Sequence, residues 1–193
     1  MRLYSYIVRF DGGFAPCVTG SICTLACCKP RIRAKAQYGD WIAGVTPKEK
    51  SPGRLIYLMR VERAFTFAEY HSDMTFRGRP DNIYRPKVFG GYVQERNDFH
   101  GLQNVRKDLS ADRVLASNSF VYFGERAPTI PAAYRNFVPR GQGHRVYGSA
   151  LGEPADPDIN SKIRSFVRWA FSRGKGINGH PFDSPQKHHD CSV

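Results

Sequence analysis

The alternation of apolar and polar positions opens the chain on a strand. Residues 2–10, RLYSYIVRF, set Leu3, Ser5, Ile7 and Arg9 on one side and Tyr4, Tyr6, Val8 and Phe10 on the other. Both faces are largely apolar or aromatic, which suits a central strand. Asp11-Gly12-Gly13 ends it in a turn, and the loop 14–20 leads on. Pro30 then suits the first turn of a helix, where its missing N–H has no partner to lose. In that helix Ile32 and Ala36 share one face, while Lys29 and Arg33 share another. A strand over 29–35 is the alternative, with four cations in line. Gly39 and Asp40 make a turn, and WIAGV, 41–45, reads as a core strand led by Trp41.

Further on, RLIYLMRVERAF, 54–65, is the longest apolar strand candidate. Thr66 followed by Glu69 is a capping-box pattern that starts a short helix through Tyr70. Residues 73–104 carry many Gly, Pro, Asn and Arg and little periodicity, the character of a functional loop. Order returns with RVLAS and FVYFG, which read as a hairpin across Asn118-Ser119. Residues 128–137 read as a short helix, and 139–157 as a connection punctuated by Gly and Pro. Asp156 caps the clearest helix, with Pro157 at its first position and Ile159, Ile163, Phe166, Val167 and Ala170 as its buried stripe. Gly174 stops it, and the polar tail 178–193 is expected to be flexible.

Charge changes the picture most. The formal net charge is +12, and arginine supplies 20 of the 29 cations. Arginine suits bidentate phosphate and base-edge contacts, and a basic domain with scattered aromatics fits a nucleic-acid binder. With 41% apolar and 13% aromatic residues, 193 residues bury a full core, so disorder is excluded. No apolar run approaches membrane length, so no membrane role is expected. Five cysteines and no leader-like start argue for reduced thiols in a cytoplasm.

Five stretches resemble one family. They are GFAP at 13–16, CTLACCKPRIR at 23–33, GDWIAG at 39–44, DNIY at 81–84 and DRVLASNSFVYFG at 112–124. In this order they resemble the nucleotide-modification-associated domain family, second type, over most of residues 1–125. The succession of helix, Gly-Asp turn and strands is also similar to the PUA-like superfamily. That resemblance implies an α+β fold built on a small, curved, mostly antiparallel β-barrel with short flanking helices and a C-terminal helix. The expected organisation is one domain: a barrel core over about 1–125, a helical extension over about 126–177 and the tail 178–193. The resemblance further implies a setting of DNA base modification.

The candidate chemistry divides into a preferred reading and rivals. A pocket for a flipped base needs planar faces and fixed edge partners. Phe14, Trp41 and Tyr84 supply faces, and Asp11, Asn82 and Ser119 supply edges. Lys29, Arg31, Arg33, Arg77, Arg79 and Arg85 hold the flanking phosphates. The expected partner is nucleic acid, DNA ahead of RNA, or a modified nucleotide. DNA-modification enzymes are a further possible partner, as in a module that only docks them. The rival is an enzyme on a nucleotide or base, using Asp11, His100 or Cys28, with Cys28 beside Lys29 at a helix start. No cofactor is expected. Cys23, Cys27 and Cys28 lack a second ligand pair at zinc spacing, and His180, His188, His189 and Cys191 do not supply a clean one. RGKGING, 173–179, lacks the Ser or Thr of a phosphate loop.

Overall fold

In the computed structural model, residues 1–47, 53–141, 143–150, 152–154 and 156–183 are described. In chain order the strands are β1 (Arg2–Ile7), β2 (Cys17–Thr19), β3 (Ile22–Leu25), β4 (Trp41–Val45), β5 (Leu55–Arg60), β6 (Arg63–Phe65), β7 (Tyr84–Pro86), β8 (Tyr92–Gln94), β9 (Val114–Ser117), β10 (Phe120–Tyr122), β11 (His144–Gly148) and β12 (Gly176–Ile177). The α-helices are α1 (Pro30–Lys35), α2 (Phe67–Ser72), α3 (Val105–Asp108) and α4 (Pro157–Ser172).

β1 has both faces buried, as its pattern requires, because it runs between β11 and β4. The six-stranded sheet has the order β11-β1-β4-β5-β10-β12, with β1/β4 and β10/β12 parallel and the other neighbours antiparallel. A second, antiparallel sheet has the order β2-β3-β9-β6, and β7 pairs with β8 in a two-stranded sheet. Both larger sheets are open. The expected PUA-like barrel is therefore corrected to an α+β fold of mixed, open sheets. Two runs that the sequence presents as continuous are divided between the sheets.

The run 54–65 does not stay in one sheet. β5 joins the six-stranded sheet and β6 the four-stranded one. At the break Val61 donates its N–H to Asp40 O at 2.7 Å, and Glu62 donates to Ala116 O at 3.2 Å. The expected 113–124 hairpin splits at the same level, with β9 in one sheet and β10 in the other. Glu62 joins the two crossings: its carboxylate accepts from Asn118 N at 2.7 Å and from the Ser119 hydroxyl. Two adjacent passes thus leave one sheet for the other at the same level.

Local expectations fare better. α1 carries Pro30 in its first turn, with Ile32 and Ala36 fully buried. The capping box of α2 is complete, Glu69 N donating to Thr66 Oγ1 at 3.1 Å and Thr66 N to Glu69 Oε2 at 2.7 Å. Asp156 caps α4 through the N–H groups of Asp158 and Ile159, and Ile163, Phe166 and Ala170 are buried. β11, inside the expected connection 139–157, is a half-exposed edge strand. The first residues of the expected tail are tied down, since Asn178 N donates to Tyr122 O and Glu125 N to His180 O. Residues 184–193, with His188, His189 and Cys191, lie outside the described residues. No helix among the described residues is long and apolar enough to cross a membrane.

The apolar interior has two parts. One lies along the six-stranded sheet under α4, with Tyr57, Met59, Phe120 and Phe166. The other gathers Phe14, Phe67, Tyr70, Phe76 and Tyr84 around α2 and the second sheet. The short turn 26–29, between β3 and α1, connects a strand of the second sheet to a helix packed on the first.

Candidate active site

Cys28 sits in that strand-to-helix turn with φ 60°, and Lys29 follows with φ 43°. Left-handed backbone is costly for residues with a Cβ and persists only where surrounding contacts enforce it. Those contacts come from Asp108 and Arg33. Cys28 N donates to Asp108 Oδ1 at 2.7 Å. The Arg33 guanidinium, fully buried, donates to Cys28 O at 2.8 Å and also to the carbonyls of Asp108, Ala111 and Arg113. The turn is thus bolted to the segment 108–113, far away in sequence.

His100 completes the arrangement. Its Nε2 lies 3.4 Å from Cys28 Sγ, and its Nδ1 lies 2.8 Å from Asp108 Oδ2. With Nδ1–H donating to the carboxylate, Nε2 faces the sulfur as an acceptor. Asp108 Oδ2 also accepts from Tyr84 OH at 2.9 Å. Burial raises the Asp108 pKa, but His100, the Cys28 N–H and Arg33 outweigh it and hold the carboxyl below its ordinary value. The His100 backbone is fixed by Asn97 Oδ1 and Gln94 Nε2, and the Phe14 ring lies 4.6 Å from the imidazole. A thiol, an imidazole and an oriented carboxylate in line are the parts of an activated cysteine nucleophile.

Cys28 and His100 line a cavity of about 490 Å³, while Asp108 stays buried behind them. Cys28 is 9% exposed and His100 4%. The cavity's aromatic wall includes Tyr6, Phe10, Phe14 and Phe99, and Arg9, Lys29, Arg31 and Lys107 supply its cations. Phe14 and Phe99 stack at 4.7 Å between ring centroids. Gly12 lets Phe10 approach this wall, since a Cβ there would meet the Phe10 ring at 2.6 Å.

The residues expected from the sequence are distributed over the molecule. Phe14, Lys29 and Arg31 line this cavity. Tyr84 holds Asp108 from within the core, and its phenol pKa is raised by burial and by that carboxylate. Arg77, Arg79 and Asn82 border a separate depression of about 680 Å³, together with Glu95 and Arg96. There the Asn82 amide donates to Tyr70 O and Phe76 O. Arg79 is buried, bonded to Cys17 O, Thr24 Oγ1 and Tyr70 OH, and 3.6 Å from Asp81. Arg85 is exposed and paired with Glu95 at 3.3 Å. Ser119 bonds Glu62, and Trp41 packs edge-on against Phe171. Asp11 is buried, accepts from Tyr122 OH at 2.8 Å, and has its pKa raised by burial to about 6.

Sequence reasoning paired Cys28 with His100 only as a possibility, and it missed Asp108 altogether. No local motif marks this aspartate; it stands in a basic stretch, RKDLSADR, that reads as a solvated turn. Cys27, His100 and Asp108 also place one ligand atom each within 4.8 Å of one another, a donor set that suits a divalent transition metal. Both His100 nitrogens already engage Cys28 and Asp108, so a metal there competes with the nucleophile arrangement.

No curated protein and no solved structure matches the chain. The family model described as nucleotide modification associated domain 2 matches residues 1–188. That match spans all three members of the Cys28, His100 and Asp108 array, and the chain belongs to the nucleotide modification associated domain 2 family.

Proposed function

We propose that the protein is an enzyme of nucleotide modification that uses Cys28 as a nucleophile on an acyl group, with His100 as the proton carrier. The single observation behind this reading is the in-line array of Cys28 Sγ, His100 and Asp108 at the cavity, on a left-handed turn. His100 Nε2 takes the thiol proton as the sulfur bonds to the carbonyl carbon of an amide or ester. The C–N or C–O bond then breaks, and the leaving group takes the proton from His100. Water hydrolyses the thioester, His100 accepts its proton, and that proton returns to the Cys28 sulfur. Asp108 orients the imidazole and stabilises its charged form. The Cys28 N–H is engaged by Asp108 and so is not a donor for the developing oxyanion.

A second reading keeps the cavity as a site that only recognises a modified base. Phe14 is itself buried and covered by Phe99, so the half-buried Phe10 and Phe99 rings on the same cavity are what favour it. One experiment separates the two. With p-nitrophenyl acetate as the probe, a nucleophilic Cys28 releases a stoichiometric burst of nitrophenolate and leaves an acetyl adduct on Cys28, detected by peptide mass spectrometry. Cys28→Ser and His100→Ala each remove the burst. Acylation of another cysteine, or a burst unchanged in His100→Ala, sinks the enzyme reading.

A further inference from the structure

The 17 carboxylates of the chain give every cavity an opportunity to be lined by an acid. None of the described residues lining the Cys28 cavity is acidic. Its cations are Arg9 and Arg31, both exposed, and Lys29 and Lys107, both half-buried. His144 stands among them, its pKa lowered by burial and then by Arg31, Lys29 and Lys35, which is how an imidazole responds to a positive field. The same cavity is also lined by the Phe10, Phe14 and Phe99 rings, which add an apolar wall. A volume of about 490 Å³ lies within the range of small-molecule and cofactor sites. An anionic group and a planar group attached to each other satisfy both walls at once. Arginine and lysine bind phosphate oxygens, and a base has a face for stacking.

We infer that this cavity binds the phosphate ester of a nucleoside, with phosphate against Lys29, Arg31 and Lys107 and the base against the phenylalanine wall, an inference that rests on reading the Cys28 array as the active site. The phosphate belongs either to a free nucleotide or to the backbone of a DNA strand, and the chemistry of recognition is the same. The binding site lies against the nucleophile, so a bound ester shields the sulfur.

The test uses the full chain and two readouts, calorimetric affinity and the rate at which iodoacetamide alkylates Cys28. The ligands are thymidine, thymidine 5′-monophosphate, the dinucleotide dTpdT and inorganic phosphate. Thymidine monophosphate is expected to bind at least roughly tenfold more tightly than thymidine. It should also slow Cys28 alkylation. Arg31→Glu and Lys107→Glu should each weaken the nucleotide roughly tenfold, while Arg168→Glu, on α4 outside the cavity, leaves it unchanged. Protection by the dinucleotide as strong as by the mononucleotide points to a polymer as the source; protection by the mononucleotide alone points to free nucleotide. Equal binding of thymidine and its phosphate, or nucleotide binding that leaves alkylation untouched, overturns the inference. So does binding of inorganic phosphate alone. Failure of this inference is distinct from failure of the enzyme reading: a His100-dependent burst can persist without nucleotide binding, and nucleotide can bind and protect a thiol that never acylates.

Discussion

The Arg33 guanidinium donates to the carbonyl of Cys28 at 2.8 Å, five residues back along the chain. The arginine is fully buried, and its other donors reach the carbonyls of Asp108, Ala111 and Arg113. A residue of the phosphate-contact type thus holds the backbone of the candidate nucleophile. Burial lowers its pKa, and the surrounding acceptors keep the charge satisfied.

Replacing Arg33 should therefore damage the fold. Arg33→Lys cannot reach four carbonyls from one ammonium, and buried acceptors left unsatisfied cost about 1–3 kcal/mol each. A loss of about 3 kcal/mol or more is expected, seen as a Tm lower by roughly 6–12 °C. A melting curve like that of the unaltered protein would show that the clamp carries little of the stability.

Asp108→Asn probes orientation. Asn keeps one acceptor oxygen but loses the charge that favours the imidazolium, so alkylation of Cys28 near neutral pH should slow by at least roughly tenfold. His100→Ala should slow it at least as much, and the double variant should add little further loss, because the two act as one unit. Additive losses would mean that the two side chains influence the thiol independently. The carboxyl also contributes to stability. Its folded pKa is depressed, so that contribution is present above the ordinary aspartate value and is lost as pH falls through the folded one. In Asp108→Asn the acid limb of the stability curve should flatten.

Asp11 predicts the opposite slope. Burial raises its pKa to about 6, and one of its carboxylate oxygens is buried without a hydrogen-bond partner. A group with a raised folded pKa stabilises the protein fully below its unfolded value and loses that contribution as pH rises through the folded value. Between about pH 4 and pH 6 the protein should lose roughly 2–3 kcal/mol from this group. Asp11→Asn should abolish that slope and melt higher than the unaltered protein at pH 8. Denaturant unfolding at closely spaced pH values gives both numbers.

Glu62 tests the double crossing between sheets. Its carboxylate accepts from Asn118 N and from the Ser119 hydroxyl, and these bonds overcome burial to lower its pKa. Glu62→Ala should destabilise the fold by about 1–2 kcal/mol, with the deficit shrinking in acid as the unaltered Glu62 itself protonates. Hydrogen exchange should show faster opening at residues 117–120 than in α4. A uniform change across both regions would argue that the crossing is not a local weak point.

By itself the sequence determined the pieces whose cause lies within a few residues. Thr66 and Glu69 specify the α2 cap, Asp156 and Pro157 the start of α4, and the double-sided apolar pattern of 2–7 a central strand, because each signal is read by neighbouring backbone. The order of the family motifs was likewise legible, as the match over residues 1–188 shows. The sheets were not. A run such as 54–65 looks the same whether it stays in one sheet or crosses to another, and the crossing depends on Asp40, Ala116 and Asn118. The β11 edge strand is half exposed, so it lacks the apolar alternation that marks strands in a sequence. The candidate site depends most on tertiary structure. Cys28 lies 72 residues from His100, and only the folded chain brings the thiol to 3.4 Å from an imidazole held at 2.8 Å by an unmarked aspartate eight residues on. Arg33 shows the same dependence: local spacing put its cation on a helix face, and packing decided that this face points inward.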